Sequence, residues 1–231
     1  MSRMITQDEI VDGLIALKNN FITVSSDNLA ESILRYVVLI EKWNRTYNLT
    51  AAKTSREVFQ QHIMDSLSVL PHIQGSSVVD VGSGAGFPGM LLALAKPDWQ
   101  ISLVEANQKK ATFLRQVKIE LMLENLEIIT TRVEHFHPKR EINSIISRAF
   151  ASLWDFISIS QHLAGTNGLH CRWLAMKAHC TEEELNQVQK PYAIEHNILL
   201  QVPGLDATRR LIIVRKLSEE YDTQLSRNLI H

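Results

Sequence analysis

Val78-Val79-Asp80-Val81-Gly82-Ser83-Gly84-Ala85-Gly86-Phe87-Pro88-Gly89 is an apolar run that breaks into closely spaced glycines and resumes as Met90-Leu91-Leu92-Ala93-Leu94-Ala95. The valines of the opening run suit a buried strand, and the residues after them read as a tight loop and then a helix. Glycine permits φ > 0 and lets a ligand approach the backbone with no Cβ in the way. The pattern therefore predicts a ligand site at this turn.

The spacing narrows the ligand. A dinucleotide fingerprint needs G-x-G-x-x-G, but the sixth position counted from Gly82 is Phe87. What stands here is D-x-G-x-G-x-G, Asp80 through Gly86, which resembles the first motif of the Rossmann-like methyltransferases that bind S-adenosylmethionine. That resemblance implies that Asp80, Gly82, Gly84 and Gly86 hold the methionine end of the cofactor. Ile101 to Val104 reads as a second strand ending at Glu105, about where a ribose-binding carboxylate belongs. A lone glycine turn is often only a connection. Strand, acidic loop, helix and a second strand ending in an acid make a stronger pattern.

At 231 residues with 45% hydrophobic composition, the chain suits one substantial domain with an appendage. Asp8, Glu9 and Asp12 interrupt the first apolar residues and no long uncharged apolar run occurs after them, so a soluble, cytoplasmic protein without a membrane span is expected. The two cysteines, Cys171 and Cys180, are too few for a disulfide scaffold. Each follows a histidine, but neighbours on a strand point to opposite faces, so no metal site is expected. A net charge of −1 argues against indiscriminate nucleic-acid binding while leaving room for a local basic patch.

Residues 7 to 19 show helical spacing, with Ile10, Leu14 and Leu17 on one face. Asn19-Asn20 and Ser25-Ser26-Asp27 punctuate before a second helix carrying Leu29, Ile33, Tyr36, Val37 and Ile40. Trp43 to Thr50 mixes polar and aromatic residues and reads as a loop, with a helix after it from about Ser55 to Leu70. There His62, Asp65 and Ser66 are spaced to share a face. One helix cannot readily converge three side chains as a hydrolase triad, and no G-x-S-x-G elbow is present. A polar face docking onto the glycine loop is the better reading.

Beyond Glu105 the chain alternates: a helix over 108–123 with a basic exterior of Lys109, Lys110, Arg115 and Lys118, a strand at 126–129, and the loop Thr131 to Glu134. A strand over 142–147 then ends in Ser147-Arg148-Ala149-Phe150. A helix over 153–163, a strand near 169–176, a helix around 182–189 and strands near 193–202 and 211–216 complete the chain. The expected fold class is α/β: a Rossmann-like, seven-stranded, mostly parallel sheet with one antiparallel strand, helices on both faces and a helical N-terminal extension. The last two strands read as a hairpin that adds an antiparallel edge. The expected division is an extension over 1–72 and a methyltransferase domain over 73–231. Ligands of open α/β sheets sit at the carboxyl ends of strands, where Gly82 to Phe87, Glu105, Arg132 to Glu134 and Arg148 form one rim.

WNRTYNLT (43–50), HIMDSL (62–67), VVDVGSGAGFPG (78–89), FLRQV (113–117), RVE (132–134) and ISRAFASL (146–153) together resemble the RsmG (GidB) family of bacterial 16S ribosomal RNA guanine-N7 methyltransferases. Gly86-Phe87-Pro88-Gly89 and Ser147-Arg148-Ala149-Phe150 are the most specific segments, and the first forty residues contribute little. The resemblance implies that Gly82 and Phe87 contact the cofactor, that Val133 and Glu134 flank its adenine, and that Arg148 lines the methyl-transfer pocket. It implies one guanine of the small-subunit decoding region as substrate, guanine 527 in ribosomal RNA numbering. Where the family often has Leu-Lys-Gly, this chain has Met176-Lys177-Ala178.

Guanine N7 carries an in-plane lone pair and no proton, so a site for it needs orientation rather than a general base. The sequence Ser147-Arg148-Ala149-Phe150 also lacks the prolines that amino-group methyltransferases place after their fourth strand. An arginine gripping both O6 and N7 would cover the attacking lone pair, so Arg148 is expected to touch O6 alone, a phosphate or the cofactor. Lys109, Lys110, Arg132, Lys177, Arg209 and Arg210 are the candidate RNA-binding cations, with Phe150 or Trp154 as stacking surfaces. The expected partner is 16S ribosomal RNA within a partly assembled small subunit. A small-molecule methyltransferase, a non-catalytic assembly factor and, more remotely, a nicotinamide-dependent oxidoreductase are the competing readings.

Overall fold

The computed structural model describes residues 3–18, 21–148, 150, 152–165 and 168–218. The Asn19-Asn20 punctuation, Ala149, Ala151 and the end of the chain from 219 lie outside the described residues. Helix α1 (Gln7–Ala16) opens on a capping box, with the Thr6 hydroxyl accepting from the Glu9 N–H and the Glu9 carboxylate accepting from the Thr6 N–H. Helix α2 (Ser26–Tyr47) starts at Ser25 and stops at Asn48, which turns left-handed at φ 47°.

The helix therefore runs through Trp43 to Tyr47, where the polar composition predicts a loop. Packing overrides composition here. The Trp43 ring lies 5.5 Å from Phe113 and 5.2 Å from Tyr47. The expected 55–70 helix is one helical stretch built from α3 (Ser55–Val58), a wider π turn (Phe59–Met64) and α4 (Asp65–Leu67). π turns often fall at functional sites.

The α/β unit consists of β1 (Ser77–Val81), α5 (Gly89–Ala95), β2 (Gln100–Val104), α6 (Gln108–Glu120), β3 (Leu126–Ile129), β4 (Ser144–Arg148), α7 (Leu153–Ser160), β5 (Arg172–Lys177), α8 (Glu182–Asn186), β6 (Tyr192–Leu199) and β7 (Arg210–Lys216). The sheet order is β3-β2-β1-β4-β5-β7-β6. All neighbours are parallel except that β7 runs antiparallel to β5 and β6. The closing hairpin exists, but the antiparallel strand lies inside the sheet and β6 forms the edge. The side chains explain the order: Leu211 to Val214 is buried throughout, whereas β6 is largely half-exposed.

One face of the sheet carries α5 and α6, with α1, α2 and the 55–72 stretch layered over them in a single apolar cluster that includes Ile33, Tyr36, Phe59, Leu91 and Phe113. The other face packs α7 against Trp173, Ile145 and Val214. Burial on both faces is what a mostly parallel sheet requires. The strand order reverses between β1 and its neighbours β2 and β4, so the glycine loop opens at the topological switch point.

Candidate active site

The loop after β1 is fixed from three sides. The N–H groups of Gly82 and Ser83 donate to the Val104 carbonyl at 2.9 and 3.3 Å, and Gly84 N–H donates to Glu105 Oε2 at 2.8 Å. Asp80 Oδ2 accepts from Gly89 N–H at 2.9 Å, which ties the start of α5 back to the strand. From the N-terminal layer, the Tyr36 hydroxyl donates to the Ala85 carbonyl. Gly82, Gly84 and Gly86 all have positive φ (70°, 60° and 100°).

Two features leave this loop incomplete without a ligand. Asp80 Oδ1 is buried with no hydrogen-bond partner among the described residues, which is costly unless something else supplies a donor or the group is protonated. Burial pushes the Asp80 carboxyl up to about 7, against the opposing pull of Gly89 N–H and Arg148. The backbone at Gly84 is also open, since a Cβ placed there would meet nothing nearer than the Gly82 carbonyl at 3.9 Å. Glu105 accepts from Gly84 and, through Oε1, from Asn107 N–H at 2.8 Å. An ionised carboxylate keeps lone pairs beyond those two bonds for a hydroxyl-bearing ligand.

Asp80, Gly82, Gly84, Gly86, Phe87 and Glu105 are thus neighbours at the carboxyl ends of β1 and β2. Val133 is buried in a short 3-10 turn (Val133–His135) beyond β3, while Glu134 on the same turn is exposed.

Arg148, at the end of β4, is not on a surface. Its guanidinium carbon lies 4.8 Å from the Phe87 ring centroid, Nη1 is 3.1 Å from His62 Nδ1 and 3.6 Å from Asp65 Oδ2, and the side chain is 20% exposed. Arg209 reaches the other oxygen of Asp65 from the loop before β7, Nε to Oδ1, at 3.5 Å. Asp65 is 2% exposed. Burial raises its carboxyl above the ordinary value while both arginines oppose the rise. Burial and the Arg148 charge lower His62 to about 4, so its imidazole is neutral in ordinary buffers. Its ring packs on Phe87 at 5.0 Å. Of the three polar residues predicted to share a helix face, His62 and Asp65 meet Arg148, whereas the Ser66 hydroxyl donates to its own helix at the His62 carbonyl, 2.6 Å away.

His62, Asp65, Arg148 and Arg209 line a cavity of about 470 Å³ together with Phe150, Met176, Lys177 and Glu184. A Cβ on Gly82 would lie 3.7 Å from the Phe150 ring, so the cavity adjoins the glycine loop. Lys177 faces inward. It is 8% exposed, pairs with Glu184 and donates to the Phe150 carbonyl at 3.1 Å. Glu184 Oε1 also accepts from Leu153 N–H at 2.8 Å, so this ion pair staples the segment after β4.

The remaining predicted cations lie apart. Lys109 and Arg132 are exposed and Lys110 is half-exposed on the α6 side, and Arg210 donates to Asn197 at 2.9 Å across the hairpin. Trp154 packs edge-on against Tyr192 at 6.2 Å. Cys171 and Cys180 are free, and among the described residues no cluster of metal-ligating side chains occurs and no helix is long and apolar enough to cross a membrane. Tyr36, Glu184 and Thr50, whose hydroxyl lies 2.5 Å from His62 Nε2, are the contributors that sequence reasoning missed.

Residues 29–213 match the protein family described as rRNA small subunit methyltransferase G. A relative of that name from Nitrosomonas eutropha is 44% identical over 213 residues, covering 92% of this chain and 99% of its own. One from Legionella pneumophila is 40% identical over 194 residues, covering 84% and 90%. Among solved structures, a variant of MtNAS in complex with S-adenosylmethionine superposes with a TM-score of 0.54 at 15% identity, covering 91% of this chain and 89% of that one. A SAM-dependent methyltransferase from Aquifex aeolicus gives 0.51 at 13% identity, covering 69% and 93%. At these identities the two structures speak for the fold.

Proposed function

The chain belongs to the rRNA small subunit methyltransferase G family, and from that premise we propose that it transfers the methyl group of S-adenosylmethionine to N7 of a guanine, guanine 527, in 16S ribosomal RNA. The observation that carries this reading is the junction of two half-sites: an incomplete glycine loop that suits the donor and, joined to it where Phe87 packs on Arg148, a cavity lined by Arg148, Lys177 and Arg209.

Gly82, Gly84, Gly86 and the orphaned oxygen of Asp80 would hold the amino-acid end of the donor, Glu105 its ribose hydroxyls, Val133 and Glu134 its adenine, and Phe87 and Arg148 the side facing the acceptor. When bound, the donor supplies an electrophilic methyl group on a sulfonium. The protein's own contribution is orientation, and a nucleophile held in line near the donor carbon gains most of its acceleration that way. No group need accept a proton, because N7 has none. That agrees with a cavity whose histidine is held neutral by burial and already engaged by Arg148.

The base must leave its stack to enter such a cavity. Arg209, the exposed Lys109 and Arg132 and the half-exposed Lys110 would meet the surrounding phosphates, with Phe150 at the cavity wall as a stacking surface. In this reading residues 73–231 form the methyl-transfer domain and residues 1–72 a helical layer that braces its glycine loop. A partly assembled small subunit is the natural substrate for a chain of such low net charge, and the cytoplasm is its place of action. The test is methylation by tritiated S-adenosylmethionine of small subunits, free 16S RNA and small metabolites, with mass mapping of the product. Label at N7 of one guanine supports the proposal. Label on metabolites, on an exocyclic amine, or nowhere overturns it.

A further inference from the structure

One chain of contacts runs from the end of α2 to the junction of the two half-sites. Asn44, in the last turns of that helix, holds the next loop through three bonds: Nδ2 donates to the Thr50 and Ala52 carbonyls at 3.0 and 3.3 Å, and Oδ1 accepts from Thr50 N–H at 2.9 Å. This sets the Thr50 hydroxyl 2.5 Å from His62 Nε2, and the other ring nitrogen, Nδ1, meets Arg148 Nη1 at 3.1 Å.

The proton positions are fixed by the chemistry of the partners. A guanidinium only donates, so His62 Nδ1 must present its lone pair to Arg148. A neutral imidazole then carries its proton on Nε2, pointing it at Thr50 Oγ1 as acceptor. The doubly protonated ring is ruled out by the same contact, in keeping with the low proton affinity that burial and Arg148 give this histidine.

We propose that Thr50 and His62 are positioning residues for Arg148: the threonine hydroxyl accepts the Nε2 proton and so holds the ring in place, and the histidine lone pair commits one amino group of the guanidinium. The consequence concerns the acceptor. An arginine free to use both Nη atoms on a guanine grips O6 and N7 together. With Nη1 turned to His62 and Asp65 and the guanidinium carbon over the Phe87 ring, that end-on grip is broken, and Nη2 or Nε is left to reach O6 while N7 attacks. The inference rests on the guanine-N7 reading of the cavity.

Three variants of the full chain and one spectrum test it. Thr50→Val keeps the shape of the side chain but removes the acceptor, Thr50→Ser restores it, and His62→Asn keeps an acceptor oxygen near the place of Nδ1. With tritiated S-adenosylmethionine and undermethylated small subunits, Thr50→Val is expected to lower kcat roughly ten- to a hundredfold, the range that small misplacements cost. KM for the donor should not change. Thr50→Ser should keep most of the parent turnover, and His62→Asn, which keeps an acceptor for Nη1, should lose less than Thr50→Val. Nitrogen-15 spectra of the histidine-labelled protein should show His62 protonated at Nε2 in the parent chain, with that proton exchanging faster with solvent in Thr50→Val, where it has lost its acceptor.

Full activity in Thr50→Val, protonation at Nδ1 in the parent chain, or equal losses in the valine and serine variants would each overturn the proposal. The tautomer spectrum needs no substrate. A parent chain that is inactive on small subunits yet shows the Nε2 proton would instead count against the assigned reaction.

Discussion

Tyr36 and Ala85 lie forty-nine positions apart in the chain and are joined by a hydrogen bond from the phenol to the carbonyl in the glycine loop. Burial raises the phenol's pKa well above 10.0, so it stays a donor at any working pH. Its ring rests on Phe87 and Phe113 at 5.7 and 6.3 Å. Tyr36→Phe keeps that packing and strips only the donor, leaving a buried carbonyl unpaired at a cost of about 1–3 kcal/mol. Urea unfolding should register the loss, and calorimetric titration with S-adenosylmethionine should show weaker binding from a less ordered loop.

Two glycines of the same loop should respond differently to alanine. At Gly86 a new Cβ would fall 2.7 Å from the Tyr36 hydroxyl and 3.0 Å from Leu114 and Met90, while at Gly84 it would meet open space. Both backbones have positive φ, so both substitutions carry strain. Gly86→Ala adds overpacking of roughly 1–3 kcal/mol and should lower thermal stability more. Gly84→Ala should lose affinity for the donor with a smaller change in melting temperature. Equal effects on both properties would contradict the open face assigned to Gly84.

Asp80 sets a pH dependence. Its folded value of about 7 lies above the unfolded 3.8, so between those values the folded state binds the extra proton and stability falls as pH rises. The accumulated penalty is on the order of a few kcal/mol. Asp80→Asn keeps an oxygen for Gly89 N–H and cannot ionise. Its stability should stay flat across the window and exceed that of the parent chain at pH 8 but not at pH 4. Parallel stability curves for the two proteins would remove Asp80 as the cause.

Arg148→Ala is expected to abolish most methyl transfer. Removing a surface arginine would leave the fold intact, but this side chain is largely enclosed. Here removal leaves Asp65 buried with Arg209, 3.5 Å away, as its remaining cation, so the loss falls below the roughly 3–5 kcal/mol of a buried charge left with no partner. Arg148→Ala combined with Asp65→Asn should be more stable than Arg148→Ala alone. Chemical denaturation of the two single variants and the double variant measures the coupling.

The cations divide by position. Lys109→Ala and Lys110→Ala should weaken RNA binding across sequences, and each phosphate left without its lysine should lower the slope of log affinity against log salt by about 0.7–0.9. Lys177→Met should leave that slope alone, because this lysine is enclosed by Glu184 and the Phe150 carbonyl. It should instead loosen the segment after β4, which limited proteolysis would detect.

Much of the α/β unit is legible in the sequence because a short apolar run, a glycine cluster and an acid at a strand end are local signals. Trp43 to Tyr47 reads as a loop because its polar residues outweigh one tryptophan in composition, while the packing of that tryptophan on Phe113 is a long-range contact. The order of the last strands does leave a mark: Leu211 to Val214 is an unbroken apolar run fit for a sheet interior, and Ala193 to Leu200 is interrupted by Glu195, His196 and Asn197, as an edge allows. The partnership of His62 and Asp65 with Arg148 leaves none. Arg148 lies eighty-six positions from His62, and no periodicity marks a contact between a π turn and a strand end.

The reversed direction of β7 governs when the site comes into being. The parallel strands bring their finishing ends to the ligand rim, whereas β7 brings its beginning, and Arg209 immediately precedes it. A nascent chain emerging from the ribosome can join the glycine loop to Glu105 while most of the sheet's second half is still unmade. The cavity beside Arg148 lacks the wall that Arg209 gives it until the closing hairpin is being synthesised, so it is the last part of the rim to be completed.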